Sequence, residues 1–192
     1  FPKTASGIEI ELLKKLFTEE EAEMYLKMSL MLETPESVAK RIQGDSEKVG
    51  ALLERMAEKG LVFRSRDTEA VKYGAAPFVV GIYEYQLNTM DRELAQVGDA
   101  YMEEAFSDQA AQQTVPMRTI PVSRSVAVSW PVAPYEDVKE IIASKEKLAV
   151  ANCICRQAMR LVGQGCEKPE ESCLGFGEAA DYLQQSGRGR RI

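Results

Sequence analysis

All four cysteines of this 192-residue chain fall between Cys153 and Cys173, and the chain contains no histidine. A soft-metal site here must be built from thiolates alone, in the pattern C-x-C-x10-C-x6-C. In an extended Cys153-Ile154-Cys155 the two thiols share one face, roughly 6.6 Å apart along the strand, close enough to serve one polynuclear cluster. The apolar run 148–151 reads as a short strand that mounts the pair rigidly. Residues 156–161 read as a helical turn or two, and Gly163-Gln164-Gly165 as a bend that returns Cys166. Pro169-Glu170-Glu171-Ser172 reads as a further helical turn, with proline near its start, that delivers Cys173.

Three other uses of the cysteines compete. Disulfide scaffolds spread cysteines through the fold, whereas none precedes Cys153 here. Structural zinc favours two Cys-x2-4-Cys knuckles, which this spacing does not supply. Unliganded buried cysteines account for single residues, not for four together. The pattern also departs from the bacterial ferredoxin run C-x2-C-x2-C-x3-C-P. An iron–sulfur cluster is favoured and four-thiolate zinc is its alternative; spacing does not identify the cluster type.

The stretch Cys153-Ile-Cys-Arg156, then Gly163-Gln-Gly-Cys166-Glu-Lys-Pro169-Glu-Glu-Ser-Cys173-Leu-Gly-Phe176-Gly177, resembles an uncharacterised family of bacterial and archaeal iron–sulfur proteins, usually described as 4Fe-4S ferredoxin-type. Likeness extends to Phe78-Val-Val-Gly81-Ile-Tyr-Glu84, Arg118-Thr-Ile-Pro121-Val122, Pro134-Tyr-Glu136, and Ala179, Asp181 and Tyr182 leading to Gly187-Arg-Gly-Arg190. The resemblance implies one 4Fe-4S cluster held by Cys153, Cys155, Cys166 and Cys173. The family's usual second, cysteine-rich ferredoxin-like end is not among these residues.

A cluster ligated by four thiolates carries net negative charge, which nearby donors and cations must stabilise. Arg156, directly after a ligand, is the cation expected to do so, with Arg160 and Lys168 as further candidates. With every iron ligated by cysteine, electron transfer or sensing is expected rather than catalysis at the metal. Cysteine-nucleophile chemistry lacks a histidine base, and no P-loop or dinucleotide fingerprint appears, so no enzyme is expected. A net charge of −6 argues against a general polyanion binder. No run approaches the ~18 apolar residues of a membrane span, and the start lacks a signal-peptide layout. Cysteines kept reduced in one site fit the cytoplasm.

In the first eighty residues Thr18-Glu-Glu-Glu21 offers a capping box and Thr34-Pro35 a cap with proline at the first helical position. Asp45 or Ser46 caps a helix striped by Val49, Leu52, Leu53 and Met56, and Gly60 stops it. Leu61–Arg64 and Val71–Tyr73 read as a hairpin, and helices followed by a hairpin make a winged helix-turn-helix. DNA binding through the helix 47–59 is one expectation. Its charges cancel, and only Arg64, Arg66 and Lys72 near the wing suit phosphates, offset by Asp67 and Glu69.

From Val79 to Phe106, Tyr83, Leu87, Met90, Leu94, Val97 and Tyr101 recur at heptad spacing and predict a helix with a seam of about 28 Å. Its partner is a neighbour within the chain or, in a homodimer through 83–101, the same helix of a second subunit. A polar linker at 107–114, strands at 118–122 and 126–130 and a helix from Pro134 with Val138, Ile141 and Ile142 inward complete the reading. A last helix carries Phe176, Ala179, Ala180 and Leu183, and the arginine-rich end from Gly187 reads as a solvated tail.

The expected fold class is mostly α with small β (α+β): a winged helix over 1–80, a long connecting helix over 81–106 and a mixed four-cysteine module over 107–192. The expected function is electron transfer to a redox protein partner. Alternatives are a redox-sensing DNA-binding regulator and a zinc-stabilised interaction module.

Overall fold

Thr18, Thr34 and Asp45 each open a helix by satisfying backbone donors that a first turn leaves free. The computed structural model describes residues 1–66, 70–107, 139–140 and 142–192. In it the Thr18 hydroxyl accepts from the Glu21 N–H at 3.2 Å while the Glu21 carboxylate accepts from the Thr18 N–H at 2.8 Å. Thr34 accepts from Ser37 N–H, and Asp45 from Lys48 N–H at 2.9 Å. The helices are α1 (Ile8–Leu16), α2 (Glu19–Leu26), α3 (Pro35–Ile42) and α4 (Ser46–Glu58), followed by an antiparallel hairpin of β1 (Val62–Ser65) and β2 (Lys72–Ala75). The second half has β3 (Leu148–Asn152), α6 (Ile154–Leu161), β4 (Glu171–Phe176), α7 (Glu178–Gln185) and β5 (Gly189–Arg191), joined to the first by α5 (Arg92–Met102). The class is mostly helical with small antiparallel sheets. No helix among the described residues is long and apolar enough to cross a membrane.

The long helix expected over 81–106 is corrected. Val79 and Val80 are extended, Glu84–Gln86 is a 3-10 turn, and α5 starts afresh where Asp91 accepts from the Leu94 N–H at 2.7 Å. The heptad spacing survives the break because each piece turns the same side inward: Tyr83, Met90, Leu94, Val97 and Tyr101 are all buried. They join one core with Leu12 and Leu16 of α1 and Ile154 and Ala158 of α6. The seam expected at 83–101 is therefore filled from within the chain, the first of the two partners expected for it.

Sheet order in the second half is β4-β3-β5, antiparallel throughout. Its small residues set how closely α7 can lie. A Cβ on Gly175 would stand 2.8 Å from Leu183 Cδ1, and one on Gly189 2.8 Å from the Val150 carbonyl. The solvated tail expected from Gly187 is corrected too, since Gly189–Arg191 pairs with β3 and Arg188 is buried. Arg188 donates to the Tyr85 and Glu58 carbonyls, Tyr182 donates to the Ala57 carbonyl at 2.8 Å, and Gln157 donates to the Leu87 carbonyl at 3.0 Å. These bonds fasten the cysteine-bearing half to the helical half.

The strands expected at 118–122 and 126–130, most of the linker at 107–114, the start of the helix from Pro134 and the hairpin tip at 67–69 lie outside the described residues. Residues 139–140 and 142–143 of that helix are helical.

Glu54 ties the hairpin to α4, accepting from Arg64 at 2.6 Å, from Arg66 at 2.7 Å and from the Tyr73 hydroxyl. Burial pushes its carboxyl up, but Tyr73, Arg64 and Arg66 outweigh this and hold it below the ordinary value of 4.5. A carboxyl depressed in the folded state contributes stability above its unfolded pKa and loses it as pH falls through the folded value. Glu54→Gln is expected to cost about 1–2 kcal/mol at neutral pH and to flatten the fall in stability between about pH 6 and 3. Urea unfolding of both proteins across that range measures the difference.

Candidate functional site

β3 carries the chain out of the sheet at Asn152, and α6 begins at Ile154 because Ile154 and Ala158, one turn apart, face the core. Cys153 sits between them as the N-cap, still extended at φ −78° and ψ 113°. Cys155 therefore lies in the first turn of α6. The extended Cys-x-Cys expected from spacing is corrected to a strand-to-helix corner, where α6 starts at Ile154 without a side-chain cap.

Cys173 arrives on β4, directly opposite Ala151. The helical turn expected at 169–172 is absent because β3 offers an open edge, which Glu171–Phe176 takes as an antiparallel partner with a bulge at Ala151/Asn152. The Cys153 N–H extends this pairing to the Glu170 carbonyl at 2.7 Å. Opposed residues share a sheet face, so Cys173 and the strand-end Cys153 meet on one side.

The electrostatics report the same convergence. Burial raises the Cys173 thiol, and Cys153, Cys155 and Glu84 raise it further. Burial also raises Cys155, with Cys153 and Glu84 adding to it and its own N–H opposing. The Tyr83 hydroxyl is pushed up to about 12 by burial, then by Cys155. Two cavities flank the thiols. One of about 160 Å³ is lined by Glu84, Leu87, Ala151, Ile154, Cys173 and Leu183. The other, about 200 Å³, is lined by Tyr83, Ala95, Asp99, Cys155, Ala158 and Met159.

Cys166 stands apart. Gly163 turns the chain at φ +81°, and the loop then runs back along α6. Arg160 donates to the Cys166 carbonyl at 3.3 Å, to the Lys168 carbonyl at 2.6 Å and to Glu170 at 2.8 Å. Gly165 lies so near that a Cβ there would be 2.3 Å from Arg160 Cγ. Cys166 is exposed, as Cys155 and Cys173 are, but unlike Cys153 it is not among the groups that dominate the Cys155 or Cys173 shift. Arg156 points to the same loop, donating to the Pro169 carbonyl and to Ser172 Oγ at 2.8 Å. It holds the segment between Cys166 and Cys173 in place.

All four thiols are free, and the donor set is sulfur together with the Glu84 and Asp99 carboxylates that line the flanking cavities. A tetrahedral zinc ion needs its sulfurs about 3.8 Å apart. Among the described residues no three His, Cys, Asp or Glu side chains are grouped closely enough to hold one metal ion. A polynuclear cluster bonds each thiolate to a different iron, so its ligands need not converge on one ion, and three thiols at one corner suit its all-sulfur preference.

Glu84 is the residue that reading the cysteine block misses. Its Oε2 accepts from the Gly81 N–H at 2.6 Å, which fixes the carboxylate beside the thiols. The stretch 78–84 stands out in the sequence by resemblance alone, and nothing local to it marks Glu84 as a neighbour of Cys155 and Cys173. No family model, curated protein or solved structure matches this chain.

Proposed function

We propose that the chain is an iron–sulfur protein that passes single electrons to and from a redox protein partner. The observation that carries this reading is the meeting of Cys153, Cys155 and Cys173 at the corner of β3, α6 and β4, in a chain without histidine. A cluster bound there supplies a one-electron reservoir whose potential depends on charge, hydrogen bonds and burial. Cys153 and Cys155 bring two thiolates to the α6 N-terminus, where backbone N–H groups stabilise negative charge on sulfur. Tyr83 and Leu87 line the cavities beside the thiols, of which Cys155 and Cys173 are exposed and Cys153 is half-buried, and Glu84 adds negative charge, which favours the oxidised state. Val80, 73% exposed, and Leu174, 42% exposed, flank the smaller cavity and give a partner an apolar rim close to the thiols.

We read α2–α4 and the hairpin as a winged helix used for packing rather than for DNA. Glu54 engages both Arg64 and Arg66, and Arg64 is buried, so these two guanidinium groups are committed within the fold. Free thiols and a bound cluster suit the reducing cytoplasm.

Metal and acid-labile sulfide analysis on anaerobically purified protein, with visible absorption and EPR before and after dithionite, tests the reading. Near-equal iron and sulfide, about four of each per chain, is the expected result. One zinc per chain without sulfide, from iron-replete cells, would replace it with the zinc-stabilised module.

A further inference from the structure

The chain has four cysteines but brings three of them together. Cys153, Cys155 and Cys173 occupy one corner with two carboxylates beside it: Glu84 lines the same cavity of about 160 Å³ as Cys173, and Asp99 lines the one of about 200 Å³ with Cys155, but of the two only Glu84 is among the groups that raise both thiols. Glu84 does not hang free there, since the Gly81 N–H holds its Oε2 at 2.6 Å. Cys166 lies on a loop that three Arg160 hydrogen bonds tie to α6; it is exposed, as Cys155 and Cys173 also are, so its place on that loop and not its exposure sets it apart.

We propose that three thiolates, Cys153, Cys155 and Cys173, hold the cluster, that its fourth iron faces the Glu84 carboxylate, and that Cys166 remains a free thiol. This rests on the iron–sulfur reading above and names the ligand set of that same site. A carboxylate at the fourth corner carries the same charge as a thiolate but is a harder oxygen donor, which soft iron–sulfur centres hold more weakly. The fourth iron is then the exchangeable one. Mild oxidation by ferricyanide would release it as one ferrous ion, with one electron passing to the oxidant, and would leave a three-iron cluster on Cys153, Cys155 and Cys173.

Differential alkylation of the intact holoprotein tests the ligand set. Anaerobic protein is treated with iodoacetamide, unfolded in acid, treated with N-ethylmaleimide, and mapped by peptide mass spectrometry. Iodoacetamide on Cys166 and N-ethylmaleimide on the other three is the expected pattern. Protection of Cys166 equal to that of the other three overturns the proposal. Iodoacetamide on all four, in protein without iron or sulfide, removes the iron–sulfur reading itself, so the two failures are distinct. Cys166→Ser is expected to keep wild-type iron and sulfide, and loss of both would also overturn the ligand set. Glu84→Gln is expected to raise the three-iron EPR signal after ferricyanide several-fold, and an unchanged signal would remove Glu84 from the fourth corner.

Discussion

Serine in place of Cys153 is expected to leave a folded chain with almost no iron or acid-labile sulfide. Cys153 is the sulfur through which the others are connected, being the largest electrostatic influence after burial on both Cys155 and Cys173. The substitution separates metal binding from folding unusually well. Serine is among the preferred N-cap residues, and residue 153 is the N-cap of α6, so the helix loses nothing and gains a better cap. The backbone N–H that bonds the Glu170 carbonyl is kept as well. Far-ultraviolet circular dichroism should therefore match the wild-type apoprotein while iron and sulfide fall by at least ~90%, as removing a ligand from a soft-metal site requires. Wild-type iron in Cys153→Ser would mean that the corner of β3 and α6 is not the site.

The second large effect is structural. Arg188→Met is expected to lower the free energy of unfolding by about 3 kcal/mol. The side chain is 6% exposed, and its guanidinium donates to the Tyr85 and Glu58 carbonyls, each at 2.6 Å. It also lies 5.9 Å from the Tyr182 ring centroid. Methionine fills much of the volume but leaves both carbonyls without this donor, at about 1–3 kcal/mol for each buried group. It also removes a cation from the C-terminal end of α4, where positive charge is favoured. Gly60, at φ +79°, makes the junction hard to rebuild, because a Cβ there would stand 2.6 Å from Tyr85 Cβ and 3.1 Å from Arg188 Nη2. Urea unfolding of the two apoproteins gives the difference, and a change under about 1 kcal/mol would show that water replaces the guanidinium at both carbonyls.

These two residues mark what a single sequence does and does not reveal. Helices α2, α3 and α4 are legible because their signals are local, a Thr or Asp cap followed by an apolar stripe. The thiols of the site are legible for the same reason, lying close together in a chain with no histidine and no other cysteine. The break before α5 is hidden because Tyr83, Leu87, Met90 and Leu94 keep heptad spacing across it, although Asp91 is an ordinary cap signal just before Arg92. The loop at Pro169 looks helical, yet the open edge of β3 outweighs that local preference and draws Glu171–Phe176 into the sheet. Arg188 reads as part of a solvated tail because its burial depends on strand pairing with β3 and on carbonyls far away in sequence. Glu84 is obscured in the same way.

That separation along the chain also sets an order of assembly. Cys153, Cys155 and Cys173 come together as soon as β3, α6 and β4 form, whereas Tyr83 and Glu84 reach them only after a long loop closes, with the entropic cost that closure carries. The bonds from Gln157 to the Leu87 carbonyl and from Arg188 to the Tyr85 carbonyl are the latches of that docking. Before they close, the second half of the chain presents its thiols with one side open. The cluster proposed above would enter through that opening, and docking then sets Tyr83 and the Glu84 carboxylate beside it.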